Sequence, residues 1–197
     1  NQRPSSVVEF KNRVGDLKPT IGFDAKSVCD ACNVAKIKKE TDWEARRNEL
    51  EALCEIYRGS GNDGYDCVVP GSGGKDSFFA AHFLKYELGM SPITVTWAPH
   101  IYTDWGRRNH QAWIAAGFDN ILITPNAKTH RLLTRLATEL LLHPFQPFMI
   151  GQKSIAAKVA KQYGIPLIFY GENEAEYGNP LASFGSPKRD VLFSAND

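Results

Sequence analysis

The sequence predicts an α/β fold in which a parallel sheet lies between two layers of helices. From residue 65 onwards, short apolar runs alternate with longer amphipathic stretches, which is typical of parallel strands connected by helices. The chain has 197 residues, of which 43% are hydrophobic, and this is enough for one core and a small appendage. We therefore expect a three-layer, parallel-sheet domain with a small cysteine-containing segment before it.

Strands and helices alternate along the predicted domain. The strands are apolar runs rich in β-branched and aromatic residues, at 65–70, 93–97, 120–124 and 166–171. The helices lie at 76–88, 107–116, 129–142 and 154–163, and each stops at a glycine or ahead of a proline. In such sheets, ligands bind beyond the carboxyl ends of the strands, where the strand order reverses.

The N-terminal part carries one predicted helix, over residues 42–58. Asp42 is a plausible N-cap, and apolar residues recur along one side of the stretch. The glycine-rich segment Gly59–Gly64 follows and is predicted to be a flexible linker. We place the domain boundary there, with residues 1–60 as an N-terminal segment and residues 61–197 as the α/β domain.

The loop after the first predicted strand has the composition of a phosphate-binding loop. Three glycines let the backbone approach a ligand closely, and the amides of the loop and of the next helical turn attract anions. Lys75 adds a positive charge, and Asp76 is placed to cap the helix or to hold Mg²⁺. We interpret Lys75 and Asp76 as catalytic, and the phosphate-binding residues as Ser72, Gly73, Gly74, Lys75, Asp76 and Ser77. The alternative is a glycine-rich turn that binds nothing.

The spacing of this loop excludes two common nucleotide-binding motifs. The P-loop requires glycine five residues before its Gly-Lys pair and serine or threonine after it, but Val69 and Asp76 occupy those places. The dinucleotide pattern Gly-x-Gly-x-x-Gly is not completed either. The run Ser-Gly-Gly-Lys-Asp-Ser over residues 72–77 resembles the signature of the N-type ATP pyrophosphatases, or PP-loop enzymes. That resemblance implies an adenine nucleotide alpha hydrolase-like fold and cleavage of ATP into AMP and pyrophosphate.

Two further segments carry candidate ligands. The run Gly151–Ser154 is predicted to open a helix, where Lys153 and the free amides would meet an anion. After the last predicted strand, Glu172, Asn173 and Glu176 are candidates for binding Mg²⁺ or a polar substrate. The alternatives are an ordinary helix start and a solvated acidic loop.

The pair Cys29-x-x-Cys32 has the spacing of half a zinc site. No second such pair is present, so zinc would need further ligands; a redox or sulfur-transfer pair and two packing cysteines are the alternatives. The five histidines have no metal-binding spacing, and we interpret each of them as structural.

Composition limits the partners. The net charge of +1 predicts no nucleic-acid partner, and no apolar run is long enough to predict a membrane span. Four cysteines in this length do not suggest a disulfide scaffold, and no signal peptide is visible. We therefore expect a cytoplasmic protein.

Three segments together indicate a resemblance to one family within this superfamily. Residues 21–32 with the cysteine pair, residues 65–77 with the loop, and the run Gly-Glu-Asn-Glu-Ala-Glu-Tyr-Gly over residues 171–178 look like the N-acetyl sugar amidotransferases. These enzymes serve lipopolysaccharide O-antigen or flagellar glycan biosynthesis in bacteria. The resemblance implies ATP and Mg²⁺, an acetamido sugar substrate that becomes an acetamidino sugar, and ammonia supplied by glutaminase/cyclase-like subunits. Such enzymes extend beyond the matching region, so we expect a C-terminally truncated domain.

Two other functions compete with this one. Related pyrophosphatases adenylate a nucleobase of tRNA and replace its oxygen with sulfur, although the near-neutral charge disfavours an RNA-binding surface. A nucleotide-binding module that senses ATP without hydrolysing it is the second alternative. Measuring pyrophosphate release with and without ammonia and an acetamido sugar would separate the three.

Overall fold

The computed structural model describes residues 22–171. Contacts within this range group residues 22–46 into one compact unit and residues 47–171 into a second. The boundary that the sequence suggested, after residue 60, lies inside the second unit.

Helices and strands alternate from the first strand onwards, as the sequence predicts. The helices are α1 (Asp30–Glu40), α2 (Trp43–Tyr57), α3 (Lys75–His82), α4 (Asp104–Ala115), α5 (Ala127–Leu141) and α6 (Gln146–Gln162). The strands are β1 (Cys67–Pro70), β2 (Pro92–Trp97) and β3 (Asp119–Ile123). A π-helical turn, Phe83–Glu87, extends α3, so that the predicted helix 76–88 is helical over nearly its whole length.

The sheet is parallel and has the order β1-β2-β3. Val69 of β1 pairs with Thr94 of β2, and Thr94 pairs with Asn120 of β3. The crossovers from β1 to β2 and from β2 to β3 contain α3 and α4, which is the βαβ arrangement expected for parallel strands. The mixed α/β class with a parallel sheet is confirmed.

The fourth predicted strand, residues 166–171, is reduced to one parallel bridge on the other side of β1. Val68 donates to the carbonyl of Leu167 and accepts from the amide of Phe169, both at 2.9 Å, around the pair Val68–Ile168. The next bond towards the carboxyl edge would need an N–H on Pro70, which proline lacks. The bridge therefore cannot extend towards the carboxyl edge of the sheet.

Helices cover both faces of the sheet and produce two separate cores. One core joins β1 to α2, α3 and α4, and its fully or almost fully buried residues include Cys54, Cys67, Val69, Ala81, Leu84 and Trp113. The other joins β1 and β2 to α6 and includes Val68, Ile93, Val95, Ile155, Ala156 and Val159. Alternate residues of β1 thus point to opposite faces, as expected for a strand buried on both sides.

The segment predicted as a flexible linker is tied into the second unit by hydrogen bonds. The Asp66 carboxylate, which is 5% exposed, accepts from the amides of Gly59 and Ser91. The Asn62 amide donates to the Tyr163 carbonyl at 3.2 Å. Because a buried carboxylate must be hydrogen-bonded, Asp66 fixes the entry to β1.

The first unit is organised by one aspartate. The Asp24 carboxylate accepts from the amides of Lys26 and Val28 and from the Asn33 side chain, and these bonds lower the pKa of Asp24. Helix α1 follows directly, although the sequence analysis assigned no helix there.

Candidate functional site

The predicted phosphate loop connects β1 to α3 at the carboxyl edge of the sheet. The Gly71 amide donates to the Val95 carbonyl of β2 at 2.9 Å, which anchors the start of the loop. Gly74 is the N-cap of α3 and, like any glycine, supplies no side-chain cap. Because the first amides of a helix have no acceptor within it, this end of α3 favours an anion. The strand, loop and helix thus follow one another as the sequence predicts.

Two glycines of the loop leave no room for a side chain. Gly73 has a φ of +84°, and a Cβ there would lie 2.5 Å from the carbonyl oxygen of Asn109 on α4. A Cβ on Gly71 would overlap the side chain of Ser77. The loop is therefore packed closely between α3 and α4, and its path is set by these contacts.

The charged residues of the loop are on the surface. Lys75 Nζ lies 3.3 Å from Asp76 Oδ1, and the two side chains are 85% and 56% exposed. The Ser77 hydroxyl donates to the Gly74 carbonyl at 3.1 Å. Asp76 lies in the first turn of α3, where an acidic residue suits the positive end of the helix dipole. The six predicted ligands lie within one continuous turn, and their binding roles stay predictions.

A cavity of about 270 Å³ opens beside the loop, at the carboxyl ends of β1 and β2. Its walls come from the loop, from β2 and the segment after it, from α4 and from α6. They include Gly71, Ser72, Thr96, Trp97, Tyr102, Gly106, His110, Phe148, Gln152 and Ile155. The carboxyl edge of a parallel sheet is where α/β folds bind their ligands.

Asp76 does not face this cavity but a second, shallower hollow of about 320 Å³. That hollow is mostly apolar and is lined by α2, α3 and the segment after the bridge, including Phe79 and Gly171. Gly171 passes so close to α3 that a Cβ would lie 2.6 Å from the Ser77 amide nitrogen. The loop therefore separates two concave surfaces, with Ser72 on one and Asp76 on the other.

A buried polar network lies between the sheet and α4. His110 is 7% exposed, and its Nε2 lies 3.2 Å from Asn120 Oδ1. The Asn120 amide nitrogen donates to the hydroxyls of Thr94, at 3.0 Å, and Thr96, at 3.1 Å. Thr94 in turn donates to the Asp119 carbonyl at 2.8 Å.

Aromatic rings form another part of the surroundings of the cavity. The rings of His100 and His130 lie 4.3 Å apart, and Phe148 lies 5.7 Å from His100. Burial, with a smaller contribution from His100, lowers the pKa of His130. Trp97 Nε1 is buried and has no hydrogen-bond partner among the described residues. Its indole packs against Gly151, where a Cβ would overlap the ring.

The predicted helix start at Gly151–Ser154 is wrong. Helix α6 begins at Gln146, so Lys153 lies in its third turn, where backbone amides are already used inside the helix. The sequence hides this start because Pro147 resembles a break, although proline is well tolerated in a first helical turn. Gln152 lines the cavity in this region. A phosphate-binding role for the Lys153 side chain stays a prediction.

Metal ligands are few in the part of the chain that the structure describes. No group of three or more His, Cys, Asp or Glu side chains is arranged there to hold a metal ion. Glu172, Asn173 and Glu176, the candidates for Mg²⁺ or substrate, lie outside the described residues.

The cysteine pair sits at the start of α1, with Cys29 as its N-cap. Hydrogen bonds from the backbone and the thiol of Cys32 lower the pKa of Cys29, and the same thiol pair raises the pKa of Cys32. Two thiols are half of a tetrahedral zinc site, and residues 22–171 supply no completing ligands. The zinc interpretation is therefore not supported.

The fold and this edge of the sheet define a parallel α/β protein with an open cavity beside a glycine-rich loop. No family model matches the chain. It is 30% identical over 78 residues to the uncharacterized protein MJ1599 of Methanocaldococcus jannaschii, a stretch covering 40% of this chain and 27% of that protein.

Among solved structures, NMN synthetase from Francisella tularensis is similar over 60% of this chain and 48% of its own, with a TM-score of 0.46 and 17% identity. The chain thus spans less than half the length of either relative. No helix among residues 22–171 is long and apolar enough to cross a bilayer.

Proposed function

We propose that this chain belongs to an ATP-dependent amidotransferase of the PP-loop, or N-type ATP pyrophosphatase, superfamily. The reaction adenylates the N-acetyl carbonyl of a bacterial surface-polysaccharide sugar and replaces its oxygen with ammonia, releasing AMP and pyrophosphate. The product is an acetamidino sugar for lipopolysaccharide O-antigen or flagellar glycan assembly. Ammonia comes from separate glutaminase/cyclase-like subunits.

The observation that supports this most is the position of the loop. The run Ser-Gly-Gly-Lys-Asp-Ser leads from β1 into α3, and its first residue, Ser72, borders the cavity at the carboxyl edge of the sheet together with the preceding Gly71. A polyphosphate on the amides of this turn would leave its nucleoside within reach of the cavity. The close packing of Gly71 and Gly73 gives the backbone a defined path for that contact.

The residues of the loop fit a triphosphate group chemically. The amides at the start of α3 donate to phosphate oxygens, and the Lys75 ammonium balances their negative charge. Asp76 lies in the first turn of α3, and its carboxylate suits a hard cation such as Mg²⁺. Mg²⁺, when bound with ATP, spreads the charge that develops on the departing pyrophosphate.

The chemistry follows from the weakness of an amide as an electrophile. Its oxygen is a poor leaving group, whereas adenylated oxygen leaves as AMP. The amide oxygen attacks the α-phosphorus and pyrophosphate departs; ammonia then attacks the imidate carbon, and the C–O bond to AMP breaks. No covalent nucleophile is needed, so the work of the protein is binding, orientation and charge stabilisation.

The experiment that tests the proposal measures AMP and pyrophosphate from ATP·Mg²⁺, with nucleotide-linked acetamido sugars and ammonium present together or omitted singly. We expect release that depends on the sugar, and an amidino product by mass spectrometry only when ammonium is added. Sulfur incorporation into tRNA would replace the proposal with a thiolation enzyme. ATP binding with no pyrophosphate under any condition would replace it with a non-catalytic module.

A further inference from the structure

The network between the sheet and α4 is unusual because it places polar groups in an otherwise apolar interior. Thr94 and Thr96 are 0% and 1% exposed, and His110 is 7% exposed. Their neighbours include the fully buried Trp113, on the same helix as His110. Buried polar groups are costly unless they are satisfied, and a fully connected set fixes the orientation of its members.

The hydrogen bonds determine which way the Asn120 amide points. A threonine hydroxyl has a single proton, and that of Thr94 is donated to the Asp119 carbonyl. The contact between Thr94 and Asn120 must therefore use a proton of Asn120, which places Nδ2 towards the threonines. The Asn120 oxygen consequently faces His110, and an oxygen without a proton can only accept.

The orientation of Asn120 fixes the protonation of His110. Because Asn120 Oδ1 accepts, His110 Nε2 must carry a proton. In the neutral imidazole the proton is then absent from Nδ1, which holds a lone pair. His110 Nδ1 makes no hydrogen bond to any described residue. It is also not one of the fully buried polar atoms that lack a partner, as Trp97 Nε1 is. His110 is one of the residues that line the cavity.

The position of His110 relates it to the loop. The backbone at Asn109 and His110 is in direct contact with Gly73, where a Cβ would lie 3.0 Å from the His110 amide nitrogen. Ser72, the residue before Gly73, borders the same cavity as His110. His110 therefore belongs to the part of the cavity lining that lies next to the loop.

We propose that His110 is the acid–base residue of this cavity, with Asn120, Thr94 and Thr96 as the positioning residues that hold its tautomer. This inference rests on the proposed function. When ammonia attacks the adenylated imidate carbon, a C–N bond forms and the nitrogen becomes positively charged. Nδ1 of His110 accepts one proton from that nitrogen, the C–O bond breaks, and AMP leaves with its electron pair. The proton returns to solvent or to the amidine.

The tautomer can be measured without any catalytic assay. We expect long-range ¹⁵N–¹H correlation spectra in alkaline buffer, where imidazole is neutral, to show His110 protonated at Nε2 and unprotonated at Nδ1. An Asn120→Leu substitution removes the acceptor, and the spectrum should then show a mixture of both tautomers. Protonation of wild-type His110 at Nδ1 would overturn the proposal, whatever the enzyme does.

The catalytic role needs a variant of His110 and a matched control. The proposed residue acts only in the ammonia step, so His110→Ala should reduce amidine formation by about 10²- to 10⁴-fold. Exchange of labelled pyrophosphate into ATP, which reports adenylation, should fall far less. His82→Ala removes an exposed histidine of α3 that lies on neither concave surface, and it should keep both activities.

Rescue separates a catalytic role from a structural one. Added imidazole should restore part of the amidine formation in His110→Ala, because removal of the ring leaves space next to a cavity of about 270 Å³. Normal amidine formation in a folded His110→Ala protein, or a loss that imidazole does not restore, would contradict the proposal. Wild-type protein that never releases pyrophosphate would contradict the proposed function instead. The tautomer of His110 measured by NMR would not be affected by that outcome.

Discussion

The close packing of the loop can be tested by alanine substitutions at two neighbouring glycines, Gly73 and Gly74. Gly73 has a φ of +84°, and an added Cβ would lie 2.5 Å from a backbone oxygen of α4. Gly74 has a φ of −65°, and an added Cβ would meet nothing within 4 Å. Alanine at position 73 costs about 1–2 kcal/mol for the left-handed backbone and about 1–3 kcal/mol for overpacking. We therefore expect Gly73→Ala to lower the free energy of unfolding by about 2–5 kcal/mol.

Gly74→Ala is the matched control for this substitution. Alanine restricts the unfolded chain by about 0.4–1 kcal/mol but is a poorer N-cap than glycine, so the net change should stay within about 1 kcal/mol. Urea unfolding followed by tryptophan fluorescence and by circular dichroism measures both variants. For a chain of this length, each kcal/mol corresponds to roughly 2–4 °C in melting temperature. Equal stability of the two variants would show that the loop does not pack against α4 as described.

Three further predictions concern other parts of the molecule. Lys75→Ala and Asp76→Ala should each reduce pyrophosphate release by orders of magnitude. The melting temperature should change little, because an exposed ion pair contributes about 0–1 kcal/mol. Wild-type release in either variant would remove that residue from the mechanism. Burial raises the pKa of Cys67 from 9.0 to about 12. The stability that the buried, protonated thiol contributes is therefore complete below pH 9.0, and it is lost as the pH rises from 9.0 to about 12. Unfolding measured against pH should therefore show an alkaline loss that Cys67→Ala lacks, and identical profiles would contradict this. Gly151→Ala should displace the indole of Trp97, which a change in tryptophan fluorescence would report and an unchanged spectrum would refute.

Much of the architecture can be predicted from the sequence because its signals are local. The run Val68–Pro70 is a short apolar strand in any context, and the glycines after it mark the turn. Helix ends at Gly89 and Gly117 follow from backbone conformation, since both glycines adopt positive φ in the structure. These features need no knowledge of distant residues.

The structure differs from the sequence prediction where tertiary contacts, or one missing N–H group, determine whether a strand or helix forms. The strand at 166–171 has the right composition, but Pro70 on the neighbouring strand lacks the N–H that would extend the pairing. Helix α6 continues through Gly151 because Trp97 packs against that glycine. No local pattern around either segment carries that information.

Part of the candidate site could not be predicted from local sequence patterns either. His110 has no motif around it, and the sequence analysis interpreted it as structural. Its placement depends on Asn120, which is 10 residues away in the sequence, and Asn120 in turn is bound by Thr94, which is 26 residues from it. A polar residue at an inward position of β2 is the one signal in the sequence that could have indicated a buried network.

The central claim is that the loop and the first turn of α3 bind the phosphates of ATP, and amide chemical shifts test it most directly. Backbone ¹⁵N–¹H spectra should be recorded during titration with ATP·Mg²⁺ and, as a control, with adenosine. We expect saturable shifts at residues 71–77 with ATP that adenosine does not reproduce. Amides of residues 71–77 that stay unmoved at saturating ATP, or that move equally with adenosine, would contradict it.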